Sequence, residues 1–134
     1  RQSFGYRLSD FRQFDYAALL TRGRRPVSAA VLDVYGGDLA ELYLMATCTA
    51  LQRQGYGTVL VRQLERMLGD AGVRQLLVTV DDDDEASQGL WAARMGFAPL
   101  PVCELRRLGG VWAAFGRQAA AGTVFLTRQL RQQQ

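Results

Sequence analysis

The chain has 134 residues, 49% of them hydrophobic, so we expect one domain over residues 1–134, with 1–13 as a lead-in and 131–134 as a tail. It contains no histidine and only two, widely separated cysteines, which excludes a Ser-His-Asp triad, a Cys-His pair and a CxxC motif, and we expect no metal. Its net charge of +3 is small, its arginines are scattered, and its apolar stretches are too short to span a membrane. We therefore expect neither direct nucleic-acid binding nor a membrane segment.

The first third of the chain predicts three strands. Two β-like runs, 14–20 and 27–35, flank the segment TRGRRP, which predicts the turn of a hairpin with its arginines at a solvated tip. A third strand, 39–48, has large apolar groups at both odd and even positions, which predicts a central strand covered on both sides. Strand alternation assigns four side chains to one of its faces: Glu41, Tyr43, Met45 and Thr47.

The rest of the chain alternates helical and extended patterns. Apolar residues recur at helical spacing from Gly57 until GDAG at 69–72, and QLLVTV at 75–80 predicts a buried parallel strand after that helix. The remaining predicted elements are an acidic run at 81–85, a helix at about 86–95, a strand opened by GFAPL, a loop over 109–122 with room for a helical turn, and a last strand at 122–130. This order predicts a mixed sheet with helices packed against it.

The segment LQRQGYGTVL, 51–60, places two glycines where a strand turns into a helix. The first amides of a helix lack intrahelical partners and carry the positive end of its dipole, so they stabilise an anion such as phosphate. Gly55 and Gly57 would let those amides approach closely. The alternative is a helix entry that binds nothing, because the Walker ending and the third glycine of a dinucleotide fingerprint are both missing.

The surrounding residues extend this short motif. QRQGYG, 52–57, resembles the Q/R-x-x-G-x-G/A pyrophosphate signature of the GNAT superfamily of acetyl-coenzyme A-dependent N-acetyltransferases, and the resemblance runs from about Phe14 to Leu130. Glu41 stands eleven positions before Gln52, as the catalytic glutamate does in general-control and PCAF-type histone acetyltransferases. LWAARMGF, 90–97, is similar to L-W-x-x-x-x-G-F in plant PHD-finger acetyltransferases related to "increased DNA methylation" proteins, and is one residue longer than the commoner L-Y-x-x-x-G-F.

The resemblance implies a fold and a site. The fold is the α/β (α+β) GNAT fold, a mixed, mostly antiparallel sheet with a central strand-helix-strand cofactor unit and flanking helices. Glu41 would be the general base that deprotonates the acceptor amine, directly or through a water. Acetyl-CoA would pair its pantetheine arm with Met45, Ala46 and Thr47. The main-chain amides that would hold its pyrophosphate belong to Gln52, Arg53, Gln54, Gly55, Tyr56, Gly57 and Thr58.

Several positions keep a second interpretation. Glu41 could instead be paired with an arginine on a solvated face. Trp91 stands where many members have a tyrosine that protonates the leaving thiolate, so that acid is unassigned, with solvent and Tyr56 as candidates. Trp91 itself is more simply core packing. The acidic run 81–85 is either a solvated loop that charges a helix N-terminus or an electrostatic guide for a basic peptide.

The resemblance implies acetyl transfer to a lysine amine of a protein such as a histone tail, and hence a basic protein partner and a nuclear, or otherwise cytoplasmic, location. Two other functions remain open: a catalytically silent GNAT-fold scaffold in a chromatin protein, and a small-amine N-acetyltransferase. Because the chain begins with Arg1 rather than methionine, we expect it to be a piece of a longer polypeptide.

Overall fold

A computed structural model describes residues 15–116 and 122–131. The predicted lead-in, part of the loop expected at 109–122 and most of the tail lie outside these residues. The strands are β1 (Tyr16–Arg22), β2 (Arg25–Tyr35), β3 (Leu39–Thr47), β4 (Gln75–Asp81), β5 (Ala98–Pro99) and β6 (Thr123–Gln129). The helices are α1 (Tyr56–Asp70), α2 (Glu85–Gly89) and α3 (Val102–Ala114), with a 3-10 turn at Thr49–Leu51 and a π-helical turn at Leu90–Arg94.

The described strands form one sheet in the order β1-β2-β3-β4-β6-β5. Every neighbouring pair is antiparallel except β3 and β4, which are parallel and joined through α1. This confirms the predicted hairpin, the central third strand and the parallel strand after the helix. Among the described residues, no helix has both the length and the apolar content needed to cross a bilayer.

Two apolar layers cover the sheet. On one face α1 buries Leu60, Val61, Leu64 and Leu68, at the spacing that gave the helix prediction, against Ala40 and Leu42 of β3 and Leu76 and Val78 of β4. On the other face α3 buries Leu108 and Trp112 against Tyr35, Leu39 and Leu77. Strands β3 and β4 are therefore covered on both sides, as their composition predicted.

The loop predicted over 109–122 is wrong in its first part, where the alternative of a helical turn is the correct one, because helix α3 continues to Ala114. Gly109 and Gly110 suggested a break, yet a Cβ at either position would meet no atom within 4 Å, so both lie on the open side of the helix. Each costs about 1 kcal/mol of helix propensity relative to alanine. Burial of Leu108 and Trp112, one turn apart, offsets that cost.

The predicted helix at 86–95 is two pieces rather than one. After α2, the Met95 amide donates to the Leu90 carbonyl at 3.0 Å, five residues back, which closes the π-helical turn. Such a turn holds one residue more than an α-helical turn. It thus accommodates the extra residue of LWAARMGF relative to the commoner motif.

Candidate active site

Strand β3 carries a bulge in its middle. Val31 of β2 pairs with Leu44 and the next residue, Leu32, pairs with Leu42, which leaves Tyr43 as the extra residue. A bulge of one residue reverses the alternation of faces beyond it. The prediction that Glu41, Tyr43, Met45 and Thr47 share a face is therefore wrong.

The two halves of β3 serve opposite sides of the sheet. The Tyr43 hydroxyl lies 2.8 Å from that of Tyr35, in the layer under α3, where Glu41 also points. Met45 packs into the layer under α1, and a Cβ at Gly57 in α1 would lie 3.2 Å from its Cε and 3.6 Å from Thr47 Oγ1. The bulge thus directs the Glu41 side chain to one side of the sheet and the Met45 and Thr47 side chains to the other.

Glu41 is a buried carboxylate with both oxygens engaged. Its side chain is 3% exposed, Thr79 Oγ1 donates to Oε2 at 2.6 Å, and Trp112 Nε1 donates to Oε1 at 2.8 Å. Burial raises the pKa of Glu41 above its ordinary value, hydrogen bonds from Thr79, Trp112 and Tyr43 oppose part of that rise, and the charge of Asp33 adds to it. No described arginine is seen to pair with it, so the interpretation as a solvated ion pair does not hold.

A cleft opens between β3 and β4, one residue along β3 beyond Glu41. Strands β3 and β4 pair only from Leu39–Gln75 to Leu42–Val78, and beyond that point a cavity of about 290 Å³ lies between them. Its walls include Tyr43 and Met45 from β3 and Thr79 from β4. Among the described residues, β3 and β4 form no pair beyond Leu42–Val78, so the two strands separate from Tyr43 onward.

The glycine turn lies between the end of β3 and the start of α1. Gly55 has a φ of +86° and is the N-cap, Arg53 has a φ of +66°, and no side chain caps the helix. The amides of residues 56–58 therefore lack intrahelical acceptors. Gln52 Nε2 donates to the Thr47 carbonyl at 3.3 Å, which ties the turn to the end of β3. The two glycines have different roles, since only Gly55 needs a positive φ and Gly57 makes room for Met45.

The hairpin tip reaches this turn as well. Arg22 Nη1 donates to the Tyr56 hydroxyl at 3.0 Å, so one of the arginines expected at a solvated tip has a defined partner. This hydrogen bond holds the Tyr56 hydroxyl at the hairpin. It offers no support for Tyr56 as the acid that protonates a leaving thiolate.

The acidic run and Trp91 have structural roles. Asp84 Oδ1 accepts the Ser87 amide at 3.0 Å and caps α2, and this hydrogen bond lowers the pKa of Asp84. Trp91 is 4% exposed and packs edge-on against Phe97 with ring centroids 5.2 Å apart, while also lining the cleft. The acidic run therefore caps a helix and Trp91 packs in the core, as the simpler interpretations had it. Electrostatic guidance of a basic peptide by the acidic run stays a prediction.

Three neighbours that set the environment of Glu41 were not predicted from the sequence. Trp112 was missed because its helix was expected to be a loop, although its spacing from Leu108 is a helical signal. Thr79 sits in a strand whose hydroxyl cannot be assigned a partner from sequence. Asp33 faces Glu41 across the β2–β3 pair, and only the register shows this.

The sequence has a matching family model and a matching relative. The model described as "Increased DNA methylation 1, C-terminal domain" matches residues 3–115. The protein "Increased DNA methylation 1" of Arabidopsis thaliana is 32% identical over 91 residues, which are 68% of this chain and 7% of that protein. The chain thus spans a small part of that relative's length.

The fold has close counterparts among solved structures. The ribosomal-protein-S18-alanine N-acetyltransferase from Escherichia coli superposes with a TM-score of 0.69 and 18% identity, covering 98% of this chain and 82% of that one. Tetrahymena GCN5 gives 0.66 and 15%, covering 88% and 69%. The PaiA N-acetyltransferase from Thermoplasma acidophilum in complex with coenzyme A gives 0.63 and 10%, covering 84% and 59%. The chain has the GNAT fold, as the sequence predicted.

Proposed function

The chain belongs to the family of Increased DNA methylation 1 C-terminal domains, and we propose that it transfers an acetyl group from acetyl-CoA to a lysine amine of a protein, with Glu41 as the general base. The observation that carries the proposal is the position of this buried carboxylate. It lies close to where β3 and β4 separate, and Met45, which lines the cleft beyond that point, packs against Gly57 in the uncapped first turn of α1. A general base, a cleft and an anion-binding helix N-terminus together suit the transfer of an acetyl group from a phosphate-bearing thioester to an amine.

The cleft and the turn fit coenzyme A. An extended, amide-containing arm would hydrogen-bond to main-chain groups along the β4-facing edge of β3, at Met45, Ala46 and Thr47. At the end of that edge, the first amides of α1 and the left-handed turn at Arg53 and Gly55 form a concave set of donors suited to a pyrophosphate. The remaining predicted contacts, Gln52, Gln54, Tyr56, Gly57 and Thr58, belong to the same turn.

The environment of Glu41 suits proton abstraction. A lysine ammonium has an ordinary pKa of about 10.4 and must lose a proton before its nitrogen can attack a carbonyl. Burial raises the pKa of Glu41, so its carboxylate is a stronger base than an exposed one. Hydrogen bonds from Thr79 and Trp112 favour the ionised carboxylate, which is the form that accepts a proton. An amide of the cleft-facing segment of β3 would stabilise the oxyanion that forms on the thioester carbonyl.

We infer a chromatin substrate from the relatives. The matched relative is named for DNA methylation, and one protein of the same fold is GCN5. A histone tail, with its lysines, is the acceptor that agrees with both, and it would place the protein in the nucleus. Two residues of the acidic run at 81–85, Asp81 and Asp84, line the cleft, and their charge would attract such a basic tail.

A second candidate is a catalytically silent scaffold with the same fold. The observation that favours it is the enclosure of Glu41, whose two oxygens are engaged and whose side chain is 3% exposed. The absence of a tyrosine at position 91 points the same way. Under this candidate the cleft would bind coenzyme A weakly or not at all.

Acetyl transfer by the wild-type domain to three acceptors separates these functions. The acceptors are histone H3 and H4 peptides and a small polyamine, and coenzyme A binding is followed in parallel by thermal melting. Coenzyme A at about 100 times its Kd stabilises the native state by about 2.7 kcal/mol. Transfer to the peptides supports the proposal, transfer to the polyamine alone points to a small-amine enzyme, and binding without transfer leaves the scaffold.

A further inference from the structure

Glu41 is too enclosed to meet a substrate amine directly. Only 3% of its surface is exposed, and its carboxylate lies between β4 on one side and Trp112 of α3 on the other. A proton that reaches this carboxylate from the cleft must therefore pass through a group that contacts both. The identity of that group goes beyond the proposed function and rests on it.

The side chains that donate hydrogen bonds to Glu41 differ in whether they can transfer a proton to it from an amine. The indole N–H of Trp112 is a donor only and has no lone pair that accepts a proton from an amine. A threonine hydroxyl donates one hydrogen and accepts at two lone pairs, so it can accept a proton while giving up its own. Thr79 donates to Glu41 Oε2 at 2.6 Å, and Thr79 also lines the cleft.

The separation of β3 and β4 explains why Thr79 has this position. β4 pairs with β3 up to Val78, and Thr79 is the first residue of β4 beyond the point where the strands separate. Its side chain alternates to the same side of the sheet as Leu77, under α3, where Glu41 lies. Thr79 therefore contacts the carboxylate through its hydroxyl and is also one of the residues that line the cavity.

We propose that Thr79 is a catalytic residue that relays the acceptor's proton to Glu41. The ammonium gives one proton to Thr79 Oγ1 while the original hydroxyl proton moves to Glu41 Oε2. The neutral amine then forms the C–N bond to the thioester carbonyl, and the C–S bond breaks. The second nitrogen proton passes to the departing thiolate, and Glu41 later releases its proton to solvent by the same route.

Tyr43 is the other hydroxyl beside the cleft. Tyr43 also hydrogen-bonds to Glu41, and its oxygen lies 2.8 Å from the buried Tyr35 hydroxyl, so one of its positions is committed to a partner inside the protein. Burial raises the pKa of Tyr43 well above its ordinary value, which keeps the hydroxyl protonated. A relay through Tyr43 is the competing outcome of the test.

The test compares Thr79→Val, Thr79→Ser and Tyr43→Phe with the wild-type domain. Valine keeps the shape of threonine without the hydroxyl, and serine keeps the hydroxyl. We expect Thr79→Val to lower kcat by about a hundredfold, the ordinary size of a general-base contribution, without changing the Kd for coenzyme A. The acidic limb of its pH profile should move to higher pH, because the lost hydrogen bond favoured the ionised carboxylate. Thr79→Ser should restore most of the activity.

Other results overturn the relay. If Thr79→Val keeps kcat within about twofold of wild type while Glu41→Gln is inactive, the base works without Thr79, although the proposed function stands. If Tyr43→Phe alone is impaired, the relay passes through Tyr43. Equal loss in Thr79→Val and Thr79→Ser assigns the effect to packing. A wild-type domain that binds coenzyme A but acetylates none of the acceptors contradicts the proposed function itself.

Discussion

The hydrogen bond from Trp112 to Glu41 can be removed while most of the ring is kept. Trp112→Phe deletes the N–H that lies 2.8 Å from Oε1, at a site where both side chains are 3% exposed. A buried hydrogen bond to a charged group contributes about 1.5–3 kcal/mol, and about 1.4 kcal/mol corresponds to one pKa unit. Because the lost bond favours the ionised carboxylate, the acidic limb of the pH profile should rise by about one to two pH units.

The assay is the pH dependence of kcat for wild type and Trp112→Phe, with thermal unfolding of both in the wild-type and Glu41→Gln backgrounds. Packing losses lower stability equally in the two backgrounds, whereas the hydrogen-bond contribution is smaller beside the neutral amide. Glutamine can keep both contacts, its oxygen accepting from Trp112 and its nitrogen donating to the rotatable Thr79 hydroxyl. An unmoved acidic limb, with equal stability losses in both backgrounds, would refute the assignment of Trp112 as a stabiliser of the ionised base.

Two further predictions use matched pairs of positions. Gly55→Ala and Gly72→Ala each force alanine into a left-handed φ, of +86° and +91°, where a Cβ meets no other atom, so each should cost about 1–2 kcal/mol of stability. Calorimetric titration with coenzyme A should show lost affinity for Gly55→Ala alone, and equal affinities would remove the turn from the cofactor site. Asp84→Ala should lower the Tm at neutral pH while Asp83→Ala does not, because only Asp84 caps α2. Since the cap lowers the pKa of Asp84, the Tm difference should persist above the ordinary aspartate pKa and shrink as the pH falls through the lowered value, and a difference that grows with acidification would contradict the cap.

Local patterns predicted much of the fold. Helical spacing predicted α1, continuous apolar character predicted β4, and the turn residues Gly23 and Pro26 predicted the first hairpin. Each of these signals comes from residues that are close in sequence. The same is true of the motif 52–57, which led to the GNAT fold now seen in the structure. The roles of Glu41 and of the turn residues stay predictions.

The features that were missed depend on tertiary contacts. Glycines in α3 are tolerated because they face open space, which only the packing of Trp112 reveals. The bulge at Tyr43 comes from the register with β2, and it alone sends Met45 and Glu41 to opposite faces. The Thr79–Glu41 contact joins residues 38 positions apart. No period in the sequence encodes any of these three.

The most direct test of the central claim is the rate of acetyl transfer to a histone H3 peptide by wild type and Glu41→Gln, with the Kd for coenzyme A measured on the same samples. We predict that the variant keeps the Kd for coenzyme A and loses about a hundredfold or more in kcat. In the pH profile of the wild-type kcat, the acidic limb should lie above the ordinary range of a glutamate. Equal rates from the two proteins, at equal affinity for coenzyme A, would contradict it.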